Sequence, residues 1–113
     1  ITMVVDTSQV LEGTMRVAIN DIGVTSITTT TVDEASGNFI GISKFSKAGC
    51  ELLIDEMTSM IDGHYGDYYT VAVDRLVRKG RHVAYCNASG HIWREIDTKD
   101  EYDEAKSIYG QFE

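Results

Sequence analysis

Two stretches of helical period lie consecutively in the middle of the chain, and every other patterned stretch but the last is short and rich in β-branched residues. That order is the tightest constraint on the fold. In the first stretch Leu52, Leu53, Met57, Met60 and Ile61 recur at helical spacing, which reads as an inward stripe. Ser43 or Ser46 can cap its start, and Asp62-Gly63 stops it. In the second, Tyr69 to Lys79, residues Tyr69, Val73, Leu76 and Val77 share one face and Gly80 caps the end. Before them, Ile1 to Val5 reads as a buried strand. Met15–Asn20 and Val24–Val32 flank the turn signal Asp21-Ile22-Gly23 as a β-hairpin, whose threonines suit a sheet edge. Gly37 to Ile42 is a further strand, with glycines that allow close backbone approach. After the helices, His82–Cys86 and His91–Ile96 read as strands. A capping box of Thr98 and Glu101 then opens a last helix, about Lys99 to Tyr109, with Tyr102, Ala105 and Tyr109 inward. The expected fold is α/β with a mixed sheet.

With 113 residues and 42% hydrophobic residues, the chain has room for one compact domain of ordinary globular composition. Its net charge of -8 disfavours nucleic acid as a partner. No apolar run approaches a membrane span. Ile1-Thr2-Met3-Val4-Val5 has no basic n-region, so no signal peptide is expected. The absence of an initiating Met suggests a piece of a longer protein. Cys50 and Cys86 lack metal-ligand spacing and read as buried or half-buried free thiols of a cytoplasmic protein.

Three places could carry chemistry. In Trp93-Arg94-Glu95-Ile96-Asp97-Thr98 a strand is expected to end where a capped helix begins, the position at which sites collect in α/β sheets. A carboxylate there, Asp97, suits Mg²⁺, which takes one or two protein carboxylates beside water and phosphate oxygens. It suits equally a role at the positive end of the helix dipole. The loop Gly63 to Tyr68 offers His64, Tyr65, Asp67 and Tyr68, though Asp67 also reads as a helix N-cap. The histidines His64, His82 and His91 are scattered and make no zinc pattern. Neither a GxSxG elbow nor a GxGxxG or GxxxxGK[ST] phosphate loop is present.

Three blocks, in order, carry a resemblance: Gly37-Asn38-Phe39-Ile40-Gly41-Ile42-Ser43-Lys44-Phe45-Ser46, the helix from Tyr68 to Leu76, and Trp93-Arg94-Glu95-Ile96-Asp97-Thr98-Lys99-Asp100-Glu101. Together they resemble the C-terminal half of small nucleotidyltransferases of the GT-A-like group, nearest to the cytidylyltransferases for phosphocholine and 2-aminoethylphosphonate and akin to the sugar-phosphate enzymes. The resemblance implies the C-terminal part of a three-layer, nucleotide-diphospho-sugar-transferase-like fold. It implies attack of an acceptor phosphate or phosphonate on the α-phosphorus of an NTP, CTP being expected, with pyrophosphate leaving and Mg²⁺ neutralising charge. Asp97 would be a Mg²⁺ ligand. Trp93 and Glu95 would line the acceptor pocket, and Asp67 and Tyr68 would face it. Aromatic rings and carboxylates together suit a cationic acceptor.

The family's glycine-rich nucleotide-binding signature and its first metal-binding Asp have no counterpart in residues 1–113, and Asp6 ends a different strand. The residues are therefore expected to form the acceptor- and metal-binding part of the domain, with no catalytic residue of their own and no activity alone. Lys99 stands where the family usually has Pro. An exposed sheet edge would favour a homodimer. The competing expectation is a non-catalytic binding or oligomerisation module on the same half-fold.

Overall fold

The computed structural model describes residues 1–11, 14–29 and 35–112. Five strands form one mixed sheet: β1 (Thr2–Asp6), β2 (Arg16–Ile19), β3 (Val24–Thr28), β4 (Gly37–Lys44) and β5 (Ala84–Asn87), ordered β3-β2-β4-β1-β5. β1 runs parallel to β5, and the other pairs are antiparallel. Among the described residues three α-helices accompany them: α1 (Lys47–Ser59), α2 (Tyr69–Arg78) and α3 (Lys99–Ser107), the last followed by a 3-10 turn at Tyr109–Phe112. This is the mixed α/β class expected. No helix among the described residues is long and apolar enough to cross a membrane.

The core forms where α2 lies on the sheet. Met3, Val5, Val17, Val24, Ile27, Phe39, Val73 and Val83 make one buried cluster, with Tyr69 and Val77 packed against it. Each such aliphatic side chain contributes about 1.5–3 kcal/mol on burial. The face of α2 is the one its periodicity predicts. Gly80 ends the helix at φ 82°, and the Arg81 amide reaches back to the Leu76 carbonyl at 3.0 Å, closing the orphan carbonyls of the last turn.

The hairpin also stands as expected, with β3 at the sheet edge; Thr30 to Val32 of the expected strand lie outside the described residues. Asp74 of α2 blunts that edge by accepting the Ile27 amide at 2.8 Å.

Other expectations are corrected. On α1 the inward set is Gly49, Leu52, Leu53, Glu56 and Met60, while Met57 and Ile61 are exposed. The helix is rotated because it leans on α2 through a buried carboxylate. Glu56 accepts from Arg75 Nε at 2.6 Å and Lys79 Nζ at 2.5 Å. His91–Ile96 is not a strand. After the Ser89–Gly90 turn the chain leaves the edge of β5 and crosses the end of β1. Tyr102 and Tyr109 are exposed rather than inward, because α3 packs against little besides the turn that follows it. Cys50 and Cys86 are free but exposed, Cys50 on the outer face of α1 and Cys86 on the edge strand β5.

Candidate functional site

The candidate site grows from the end of the sheet where β1 and β5 finish and β4 begins. Asp6 closes β1 as a buried carboxylate. Its Oδ1 accepts the Ser8 amide at 2.8 Å, the Ser8 hydroxyl at 2.6 Å and the Ser89 hydroxyl at 3.1 Å. Its Oδ2 accepts the indole N–H of Trp93 at 2.7 Å. The Ser8 hydroxyl and the Trp93 indole outweigh burial and pull the Asp6 pKa down to about 2. The Thr7 amide and hydroxyl both meet Ser89 Oγ at 3.0 Å, and Asn87 Nδ2 donates to the Thr7 hydroxyl at 2.8 Å.

Asn38, fully buried, begins the other wall. Its Oδ1 accepts from the Leu11 amide and the Thr14 hydroxyl, each at 3.1 Å, and its Nδ2 donates to the Gln9 carbonyl at 3.3 Å. Between these walls lies an open cleft of about 430 Å³, lined by Gln9, Leu11 and Thr14 on one side and Trp93, Arg94, Glu95, Glu101 and Glu104 on the other. Thr14 and Glu95 also border a second hollow of about 330 Å³, which adds Met15, Phe39, Tyr68, Tyr69, Thr70 and Asp97. Among the described residues, no Lys or Arg lines that second hollow.

Four of the five expected site residues meet at these hollows. Glu95, Asp97 and Tyr68 share the second one, although Tyr68 comes from a segment far away in sequence. Trp93 faces the first cleft, its indole engaged by Asp6. Asp67 does not join them: its carboxylate is bonded to His64 Nδ1 at 2.5 Å, within its own loop, and it lines neither hollow. Nor does Asp67 cap α2, whose N-cap is Tyr68 without a side-chain bond.

Glu95 is exposed, yet neighbouring atoms desolvate its carboxyl in part, and this, then the charges of Asp97 and Glu101, pushes it above its ordinary range. Glu101 is occupied: its Oε2 accepts the Asp97 and Thr98 amides at 2.9 and 2.7 Å in the predicted capping box. That bond fixes the backbone of Asp97 and leaves its carboxylate without a hydrogen-bond partner among the described residues. No group of three or more His, Cys, Asp or Glu placed for a metal occurs among the described residues. Asp97 thus stands beside Glu95 as a carboxylate outside any such group.

Compared with protein-family models and with the sequences of curated proteins, the chain matches none. The site is thus read from its own residues. Two that build it, Asp6 and Asn38, are missed by sequence reasoning. Asp6-Thr7-Ser8 does carry a local signal, since an Asp commonly accepts the amide two residues on. Nothing local marks Asn38.

Proposed function

We propose that this chain is the acceptor- and metal-binding half of a GT-A-like, three-layer nucleotidyltransferase domain, acting on a small cationic phosphate or phosphonate. The transferred group in this reading is CMP from CTP, and the acceptor is of the phosphocholine or 2-aminoethylphosphonate type. The carrying observation is the second hollow, where Tyr68, Tyr69 and Phe39 stand with two carboxylates, Glu95 and Asp97, and no lining cation. Rings and carboxylates attract an ammonium group, and the neighbouring charges of Asp97 and Glu101 add to the desolvation that raises the Glu95 carboxyl. The ordered resemblance of the three sequence blocks supports the same reading.

In this reading Glu95 and Tyr68 hold the ammonium end of the acceptor. Trp93 forms the adjoining wall, and Asp97 holds Mg²⁺. The metal would neutralise charge on the attacking and leaving oxygens at the α-phosphorus. The glycine-rich nucleotide grip belongs, in this proposal, to a further segment, and residues 1–113 alone are inactive.

Calorimetric titration with phosphocholine and with 2-aminoethylphosphonate, each with and without Mg²⁺ and CTP, tests the proposal. Saturable binding of one acceptor that weakens in Asp97→Ala when Mg²⁺ is present supports it. A folded protein that binds neither compound under any of these conditions rules out an intact half-site.

One observation favours a second reading, an assembly module. Ile96, Tyr102 and Tyr109 are exposed around a largely apolar hollow of about 440 Å³ beside α3. That reading predicts a defined oligomer in solution and no Mg²⁺-dependent binding.

A further inference from the structure

The two walls of the main cleft are separate in sequence yet hang from neighbouring side chains. Asp6 and Asn38 are direct partners across β1 and β4. Asp6 holds Trp93 and Ser89, and Asn38 holds Gln9, Leu11 and Thr14. Among the described residues, the Trp93–Asp6 bond is the hydrogen bond that ties residues 92–96 to the sheet; the other side-chain bond in this stretch, Arg94 to the Trp93 carbonyl at 2.9 Å, is local. Trp93 is also the one residue of this stretch that is not exposed. Glu95 stands two residues on, so the bearing of Trp93 sets its own, while Asp97 is held by Glu101 of the capping box.

We propose that Asp6 and Asn38 form the positioning pair of the cleft: one cross-strand pair sets the separation of its walls and the placement of Glu95. Neither side chain needs to touch a bound molecule. Each has its polar atoms committed to the wall it carries, and both are rooted in backbone buried within the sheet. The chemistry of each residue suits its task. A carboxylate accepts at two oxygens at once, from the serines on one and the indole on the other. An amide both accepts and donates, as the loop of Gln9 to Thr14 requires. Outer residues that orient a site in this way change affinity without contacting the bound molecule. The part of the proposal that concerns binding rests on the acceptor reading above; the part that concerns the walls does not.

Trp93 is the only tryptophan, so its fluorescence reads one wall directly. In Asp6→Asn the single remaining carbonyl oxygen cannot serve the serines and the indole together. Trp93 emission is expected to shift and its quenching by acrylamide to rise. Affinity for whichever of phosphocholine or 2-aminoethylphosphonate the wild type binds is expected to fall about 10-fold or more. In Asn38→Ala, hydrogen exchange of the Leu11 amide is expected to accelerate and affinity to fall similarly, with Trp93 emission unmoved. Val24→Ala, a buried change on β3, controls for plain destabilisation and should move neither readout.

An unchanged Trp93 in folded Asp6→Asn, or a still-protected Leu11 in Asn38→Ala, overturns the proposal. A wild type that binds neither compound defeats the acceptor reading, while the emission and exchange results still decide the positioning pair. Should Asp6→Asn fail to fold, Trp93→Phe removes the indole N–H together with the second ring. Backbone chemical shifts of residues 94–96 must then move while those of α1 stay, and their failure to move has the same overturning force.

Discussion

Asp6 and Asn38 face each other across the junction of β1 and β4, the one an ionised acid and the other an amide, both buried. The pair stands where Gly37 brings β4 close to the end of β1. A Cβ built on Gly37 would lie 2.3 Å from the Asp6 carbonyl oxygen. Close approach of the two backbones is thus a condition for Asp6 and Asn38 to stand side by side.

Gly37→Ala is accordingly expected to destabilise the protein by about 3 kcal/mol, near the upper end for overpacked sites, because the obstacle is backbone and not a side chain that can rotate away. Urea denaturation measures this. A loss under about 1 kcal/mol would mean that β1 and β4 can part without harm.

Asp6 also predicts an acid limb in stability. Its carboxyl is held at about 2 in the folded state, below the 3.8 of a free Asp. A depressed acid stabilises the fold above its unfolded value, and that stabilisation disappears as pH falls through the folded value. The window is therefore about pH 4 to pH 2, and the contribution at neutral pH is about 2 kcal/mol. Unfolding measured from pH 7 to pH 2 should show that loss in the wild type and a smaller one in Asp6→Asn.

Glu95 carries the opposite sign. Its folded carboxyl is raised, first by partial desolvation and then by Asp97 and Glu101. The fold therefore favours the protonated acid, and that contribution is present at low pH and is lost as pH rises through the folded value. Glu95→Gln should raise the melting temperature at pH 7, with the two proteins converging in acid. An equal or lower melting temperature for the variant at pH 7 contradicts the charge crowding described.

The α1–α2 contact turns on Glu56, whose carboxyl is lowered by hydrogen bonds from Lys79 and Arg75. Replacing both cations, Arg75→Met with Lys79→Met, leaves a buried unpaired carboxylate and should destabilise by about 3 kcal/mol. Adding Glu56→Gln to that double variant should restore part of the loss. Equal stability of the double and triple variants in urea would show that Glu56 is solvated when its partners leave.

The elements legible in the sequence were those whose signals lie within a turn or two of each other. Ser46 accepts the Gly49 amide at 3.1 Å as a cap, Thr98 and Glu101 close their box, and α2 buries the face its spacing marks. Capping and periodicity are local physics, set by side chains three or four positions apart. Tyr68, Glu95 and Asp97, chosen from the blocks that resemble a nucleotidyltransferase, do share one hollow.

The features that were not legible depend on contacts between distant residues. The stretch His91–Ile96 alternates well enough for a strand, yet Trp93 gains a charged hydrogen bond 87 positions back in the chain, and a strand outside β5 gains none comparable. α1 shows an apolar stripe, while the ion pairs of Glu56 with α2 decide which way the helix turns. A buried carboxylate must find its donors wherever the folded chain supplies them, so the cleft is defined by the tertiary partners of Asp6 and Asn38 and not by spacing along the chain.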